Sequence, residues 1–221
     1  MFDRHSSTAP TIAASTPFCH MRGIAHVRDP NGQNRWPARS TEFGVFFALL
    51  AAGANDTTRH SMAHVLNLFQ HHPDQLAYLM EDFEARVEPA CNEALRMEPP
   101  LMHFRRTATQ DYTIGDVTIK EGDKVVLWYT SSNRDEDVFD NPDVFDISRD
   151  AKHNPHQSFG GGGPHYCLGH MLGREVLTAQ MREIYHRMKN LEVGEPDWLL
   201  SNFMNGVKRL PATWTPEKQR A

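Results

Sequence analysis

A mainly helical fold with small β sheets is what this chain predicts, on three observations. Apolar residues recur at helical spacing over about 41–70, 73–84, 88–97 and 168–188. Between the third and fourth of these, residues 111–129 read as short strands separated by a Gly115-Asp116 turn and a Glu121-Gly122-Asp123 turn. Immediately before the last helical stretch, a glycine run leads to Cys167 in Phe159-Gly-Gly-Gly-Gly-Pro-His-Tyr-Cys-Leu-Gly169, and the rest of the chain is organised around that loop.

Composition narrows the field of functions. The 221 residues are 39% hydrophobic, enough for one large domain or two small ones. The 28 acidic residues outnumber 23 basic ones without a Lys/Arg run, so no nucleic-acid partner is expected. Cys19, Cys91 and Cys167 lie far apart and form no Cys-x-x-Cys pair, which argues against a zinc site or a disulfide framework and fits a cytoplasmic protein. The N-terminus lacks a signal-like apolar core, and the longest apolar stretch, Phe43 to Ala54, is too short to span a bilayer, so no membrane anchor is expected.

Taken in order, residues 1–40 carry no sustained periodicity and read as irregular. The long helix that follows bears Phe43, Phe46, Phe47 and Leu50 on one face and resumes it with Met62, Val65, Leu66 and Phe69. Its interruption, Gly53-Ala-Asn-Asp56-Thr57-Thr58, pairs small residues that admit a flat ligand or dioxygen with an acid and a hydroxyl suited to passing protons. The alternative is that these polar side chains bond back to helix carbonyls and only bend the helix. His71 and His72 read as loop residues before a helix opened by Pro73, and Glu93 and Arg96 share a face of the next helix. The last segment, Trp198 to Trp214, suggests a hairpin around Asn205-Gly206 that closes over a ligand cavity.

The Cys167 loop has the chemistry of a thiolate cradle. Glycines leave room for a bulky flat ligand to approach the sulfur and for backbone N–H groups to point at it. A place at the first turn of the following helix would set the sulfur at the positive end of the helix dipole, which favours its ionised form.

At these residues the chain resembles the cytochrome P450 family. Phe159, the glycine loop, His165, Cys167 and Gly169 stand in the family's order, with one residue more between Phe159 and Cys167 than its commonest pattern. Similar lengthening marks bacterial hydroxylases of sterols and methyl-branched lipids. Gly53 to Thr58 resembles the family's oxygen-activating helix, with Gly53-Ala54 in place of the more usual Ala-Gly, and Glu93-x-x-Arg96 matches its Glu-x-x-Arg motif. The resemblance covers roughly Thr41 to Pro216 and implies the C-terminal part of that fold as a partial haem domain over 41–221, with nothing in 1–40 matching the family's N-terminal half.

What the resemblance implies about function is haem-thiolate monooxygenation. Cys167 would be the axial ligand of haem b iron, and Asp56 and Thr57 would deliver protons to bound oxygen. His165 and Arg106 would hold haem propionates, with Arg105 as the rival to Arg106. Glu93 and Arg96 would form a buried ion pair joined by Arg149. The implied partners are a ferredoxin or flavoprotein electron donor and a hydrophobic small-molecule substrate. The alternative is a truncated, non-catalytic haem-binding fragment, and a haem-based sensor is more remote because no signalling module is attached.

Overall fold

The computed structural model describes residues 40–150 and 154–216, with side chains from residue 43 onward. The irregular segment expected over 1–40, including Cys19, lies outside the described residues except for Ser40, which begins the first helix. The described residues fall into two units, 40–45 with 104–127 and 46–103 with 128–216.

Helix α1 runs unbroken over Ser40–His71, so the polar interruption at Gly53 to Thr58 does not end it. Its 32 residues span about 48 Å at a rise of about 1.5 Å per residue. Its two halves differ in what they bury. Met62, Val65, Leu68 and Phe69 enter the core, whereas Phe47 is 63% and Leu50 43% exposed. The apolar stripe read from the sequence is therefore continuous along the helix but covered only over its C-terminal half.

Helix α2, Pro73–Glu81, opens on Pro73, where no intrahelical N–H is needed. It stops three residues short of the expected Glu84, and α3, Phe83–Met97, starts before the expected Glu88. The reason is Asp82, whose carboxylate accepts the Ala85 N–H at 3.3 Å and caps the new helix. Phe83, Val87, Ala90, Cys91, Ala94 and Leu95 then recur every three or four residues and are all buried. Pro89 is carried inside α3.

In the first unit, β2 (Tyr112–Ile114) and β3 (Val117–Ile119) form the expected hairpin, with Tyr112 opposite Ile119 and Ile114 opposite Val117. Gly115 turns it at φ +56°. A strand absent from the sequence reading, β1 (His103–Thr107), pairs with β4 (Lys124–Trp128). Arg105 and Arg106 thus lie on a strand rather than ahead of one.

The second unit continues through the short α4 (Tyr129–Ser132) and the meander to α5 (His170–Arg187). Leu177 and Met181 of α5 pack with α3 and the covered half of α1 in one core. Each such side chain contributes about 1.5–3 kcal/mol by leaving water. After α5, β5 (Lys189–Val193) pairs antiparallel with β8 (Ala212–Thr215), and β6 (Asp197–Trp198) with β7 (Val207–Arg209). The expected hairpin at Asn205-Gly206 is the β6–β7 pair, and the β5–β8 pair outside it was not anticipated.

Candidate functional site

A buried polar network is centred on Glu93 and Arg96, both fully buried on α3. Arg96 Nε donates to Glu93 Oε2 and Nη2 to Oε1, each at 2.8 Å, a two-point bond that matches the fork of a guanidinium to a carboxylate. Arg149 Nε adds a third cationic donor at 3.2 Å, with the Asp146 N–H and the Asn154 amide completing the carboxylate's shell. Arg96 also donates to the carbonyls of Asn133, Pro142 and Val144. Such a pair survives burial because nearly every donor and acceptor is matched.

From this network a chain of bonds reaches the cysteine loop. Asn133 Nδ2 donates to Arg96 O at 2.9 Å and to Ser158 Oγ at 3.0 Å, while Asn133 Oδ1 accepts the Gln157 N–H at 2.6 Å. Ser158 Oγ in turn donates to Leu95 O. The residues just before Phe159 are thereby fixed to α3. The buried ion pair expected from the resemblance, joined by Arg149, is thus also connected to the start of the cysteine loop.

The loop itself turns at Gly160, Gly162 and Gly163, with φ of +95°, +90° and +74°, a region where a side chain would be strained. Cys167 N donates to Phe159 O at 2.9 Å and Tyr166 N to Gly163 O at 3.1 Å, so these amides close on the loop's own carbonyls rather than on the sulfur. Helix α5 begins at His170 with Gly169 as its cap, which places Cys167 ahead of the helix and not within its first turn. The expectation of a first-turn cysteine is thereby corrected: a turn at Leu168-Gly169, closed by the His170 N–H donating to Cys167 O at 3.3 Å, separates the cysteine from the helix. A Cβ on Gly169 would stand 4.0 Å from Cys167 Sγ, an ordinary contact.

The two described cysteines are opposites. Cys167 is exposed, whereas Cys91 is buried in the core and burial pushes its thiol up to about 12. His165 is exposed beside the loop, and Leu168 and Leu172 are exposed apolar side chains, 81% and 66%, on the same approach.

Phe159 packs on α5, with Gly173 close enough that a Cβ there would meet the ring at 3.8 Å, and the Arg174 guanidinium lies 4.5 Å from its centroid. Arg174 Nε also donates to Asn92 Oδ1 at 2.8 Å. His156 completes this corner: its Nδ1 accepts the Ser158 N–H and its Nε2 stands 3.4 Å from Asn92 Oδ1. Burial, with the Arg174 and Arg96 guanidiniums adding to it, pushes the His156 imidazole down to about 3. Asn92, Asn133, His156 and Arg174 were not singled out from the sequence, because an isolated Asn or His carries no periodic signal.

On α1, Thr57 Oγ1 donates to Gly53 O at 2.7 Å, which is the back-bonded arrangement that the sequence left as the alternative to a relay. Asp56 is exposed and pairs with Arg59 at 3.5 Å. A Cβ on Gly53 would meet nothing within 4 Å, so the helix surface there is open. Arg106, in the other unit, has its guanidinium 5.7 Å from the Phe104 ring centroid and donates to Arg105 O at 3.1 Å. The cleft lined by Glu183, Ile184, Arg187, Met188 and Trp214 is at the far end of α5 from Cys167.

Fold and site together define a helical protein that, among the described residues, presents one exposed thiol, Cys167, from a glycine loop tied by hydrogen bonds to the helix of a buried ion pair. The family model for cytochrome P450 matches residues 44–189, and the chain belongs to that family. It is 40% identical over 177 residues to the methyl-branched lipid omega-hydroxylase of Mycobacterium tuberculosis, covering 80% of this chain and 41% of that protein. It is 39% identical over 175 residues to the steroid C26-monooxygenase of Mycolicibacterium smegmatis, covering 79% and 40%. A Mycobacterium marinum cytochrome P450 solved in complex with pseudoionone superposes with a TM-score of 0.79 at 37% identity, covering 86% of this chain and 45% of that one. The chain thus spans about two fifths of the length of these curated relatives and corresponds to the C-terminal part of the cytochrome P450 fold.

Membership implies a haem cofactor, and the residues present fit one. Cys167 offers an exposed, unbridged sulfur, and Leu168 and Leu172 offer apolar surface that a flat macrocycle would cover. Among the described residues no helix is long and apolar enough to cross a membrane.

Proposed function

We propose that the chain is the haem-holding part of a haem-thiolate monooxygenase acting on a hydrophobic lipid or sterol. The observation that carries this is the exposed Cys167 thiol on a glycine loop tied through Ser158 and Asn133 to the Glu93–Arg96 pair. Bound haem b would supply the dioxygen chemistry that puts one oxygen atom into the substrate, with electrons from a ferredoxin or flavoprotein.

This chain's own residues would do the rest. Cys167 Sγ would ligate the metal, and Phe159, held against Gly173 and Arg174, would shield the sulfur side of the loop from water. His165 and Arg106 would pair with the propionates, Arg105 being the other candidate in β1. Thr57 Oγ1, with its proton committed to Gly53 O, presents its lone pairs as an acceptor, and Asp56 can take protons from solvent at its exposed carboxylate. Free thiols suit a cytoplasmic setting. The lipid or sterol class is supported by what the relatives' names say of those proteins.

One observation favours a second reading, a haem-binding chain without turnover: the apolar Phe47 and Leu50 of α1 are exposed along the helix that carries Asp56 and Thr57. Turnover under labelled dioxygen separates the two. With haem, a ferredoxin donor and a methyl-branched fatty acid, one labelled oxygen atom per product molecule supports the monooxygenase. Haem binding with no labelled product supports the second reading.

A further inference from the structure

The first half of α1 carries a face that neither the family motifs nor the proposed chemistry uses. Phe43, Phe47, Leu50 and Ala54 follow one another at steps of four, three and four residues, so they share one side of the helix, and Ala51 and Thr58 lie in the same stripe. Phe43 is 59%, Phe47 63% and Leu50 43% exposed. No charged residue interrupts positions 43–55, whereas Glu42 precedes that run and Asp56 and Arg59 follow it. An exposed apolar surface of this length with charge only at its ends has the make-up of an interface.

We propose that this face is where two copies of the chain meet, α1 against α1, antiparallel about a two-fold axis that passes between Leu50 and Ala51. A two-fold contact uses the same patch of both copies, so the patch must fit itself. In this register it does. Leu50 comes level with Ala51 of the second copy, Phe47 with Ala54 and Phe43 with Thr58, a larger side chain opposite a smaller one each time, which lets the helices approach to the ~8–10 Å of packed pairs. Position 42 comes level with position 59, a glutamate opposite an arginine at each end of the contact. Arg59 can turn to it, because its side chain is 64% exposed and its contact to Asp56 is 3.5 Å long. A parallel pair would instead set Phe47 on Phe47 and Glu42 beside Glu42, with bulk against bulk and like charge against like.

Size sets the strength of the contact. The exposed parts of Phe43, Phe47, Leu50, Ala51 and Ala54 amount to roughly 400–500 Å² per copy, or roughly 800–1,000 Å² in all, below the ~1,200 Å² at which stable interfaces begin. The pairing is therefore reversible and fills with concentration: at about 1 µM the chain is a monomer with this face in water, and at about 100 µM it is paired.

Analytical ultracentrifugation of the 221-residue chain, without haem, tests this. The expected result is a monomer at about 1 µM that passes to a dimer by about 100 µM, with association at least tenfold weaker in Leu50→Lys, which sets two like charges beside the axis. The register is read by disulfide linking in a Cys19→Ser, Cys167→Ser background, in which Cys91 stays buried. Along the helix the two copies of position 50 stand about 1.5 Å apart and the two copies of position 43 about 22 Å. Leu50→Cys should therefore link into a covalent dimer under mild oxidation, and Phe43→Cys should not. A monomer at every concentration overturns the proposal and leaves the chain's own residues or another protein as the cover. A dimer indifferent to Leu50→Lys overturns it too, as does equal linking at positions 43 and 50. Should Leu50→Lys not fold, the linking pattern decides alone. Because no haem is used, a failure here is distinct from a failure of the monooxygenase reading.

Discussion

Arg96 and Glu93 are fully buried and face each other through two 2.8 Å hydrogen bonds, and the same arginine donates to the carbonyl of Asn133, whose amide holds Ser158 at the start of the cysteine loop. The cysteine loop is thereby coupled to a salt bridge on α3. Glu93→Ala leaves the Arg96 charge buried with no carboxylate, which should cost about 3–5 kcal/mol. Chemical denaturation of the two proteins measures it, and a loss under about 1 kcal/mol, the size of an exposed pair, would remove the network's bracing role.

His156 sets an acid limit on the same region. Its folded value is pushed down to about 3, below the ordinary value of 6.5, so the unfolded chain binds a proton that the folded chain refuses. Stability from this group is complete above about 6.5 and is lost as pH falls from there towards about 3, by up to about 1.4 kcal/mol per pH unit. Urea unfolding across pH 7 to 4 should show that slope, and it should shrink in His156→Gln.

Much of this architecture was legible in sequence because it is periodic or punctuated. The α1 stripe, Pro73, the Gly115 turn and the glycines before Cys167 each announce a backbone state. What was missed lacks such a mark. The strand β1, His-Phe-Arg-Arg-Thr, has no alternation of apolar and polar residues, and its pairing with β4 is a long-range choice. Asp82 as a cap was hidden between two helical patterns that ran together. His60 and His64, buried on α1 and bonded to the Val207 N–H and the Asn205 carbonyl, are recognisable only once those distant residues are brought onto them.

Thiol reactivity should follow burial. In a Cys19→Ser background, Cys167 should be alkylated by iodoacetamide at pH 8 while Cys91, pushed up to about 12 by its burial, stays unmodified until the protein unfolds. Peptide mass spectrometry checks this, and early modification of Cys91 would place it outside the core.

The two halves of α1 should respond differently to substitution. Phe69 is 1% exposed and packs against Phe145 and Tyr185, so Phe69→Ala should cost about 3–5 kcal/mol. Leu50, 43% exposed, should tolerate Leu50→Gln within about 0.5 kcal/mol. Thermal unfolding of both variants measures the contrast, and a large loss in Leu50→Gln would mean that this face is covered in solution.

We propose that Cys167 provides the sulfur that would bind haem iron. The direct measurement is the absorption spectrum of the haem-loaded chain after reduction and exposure to carbon monoxide. Wild type should give the red-shifted Soret band of thiolate ligation, and Cys167→Ser should lose that band while Cys91→Ser keeps it. A thiolate band that persists in Cys167→Ser would contradict the account, because the sulfur on the iron would then have to come from elsewhere.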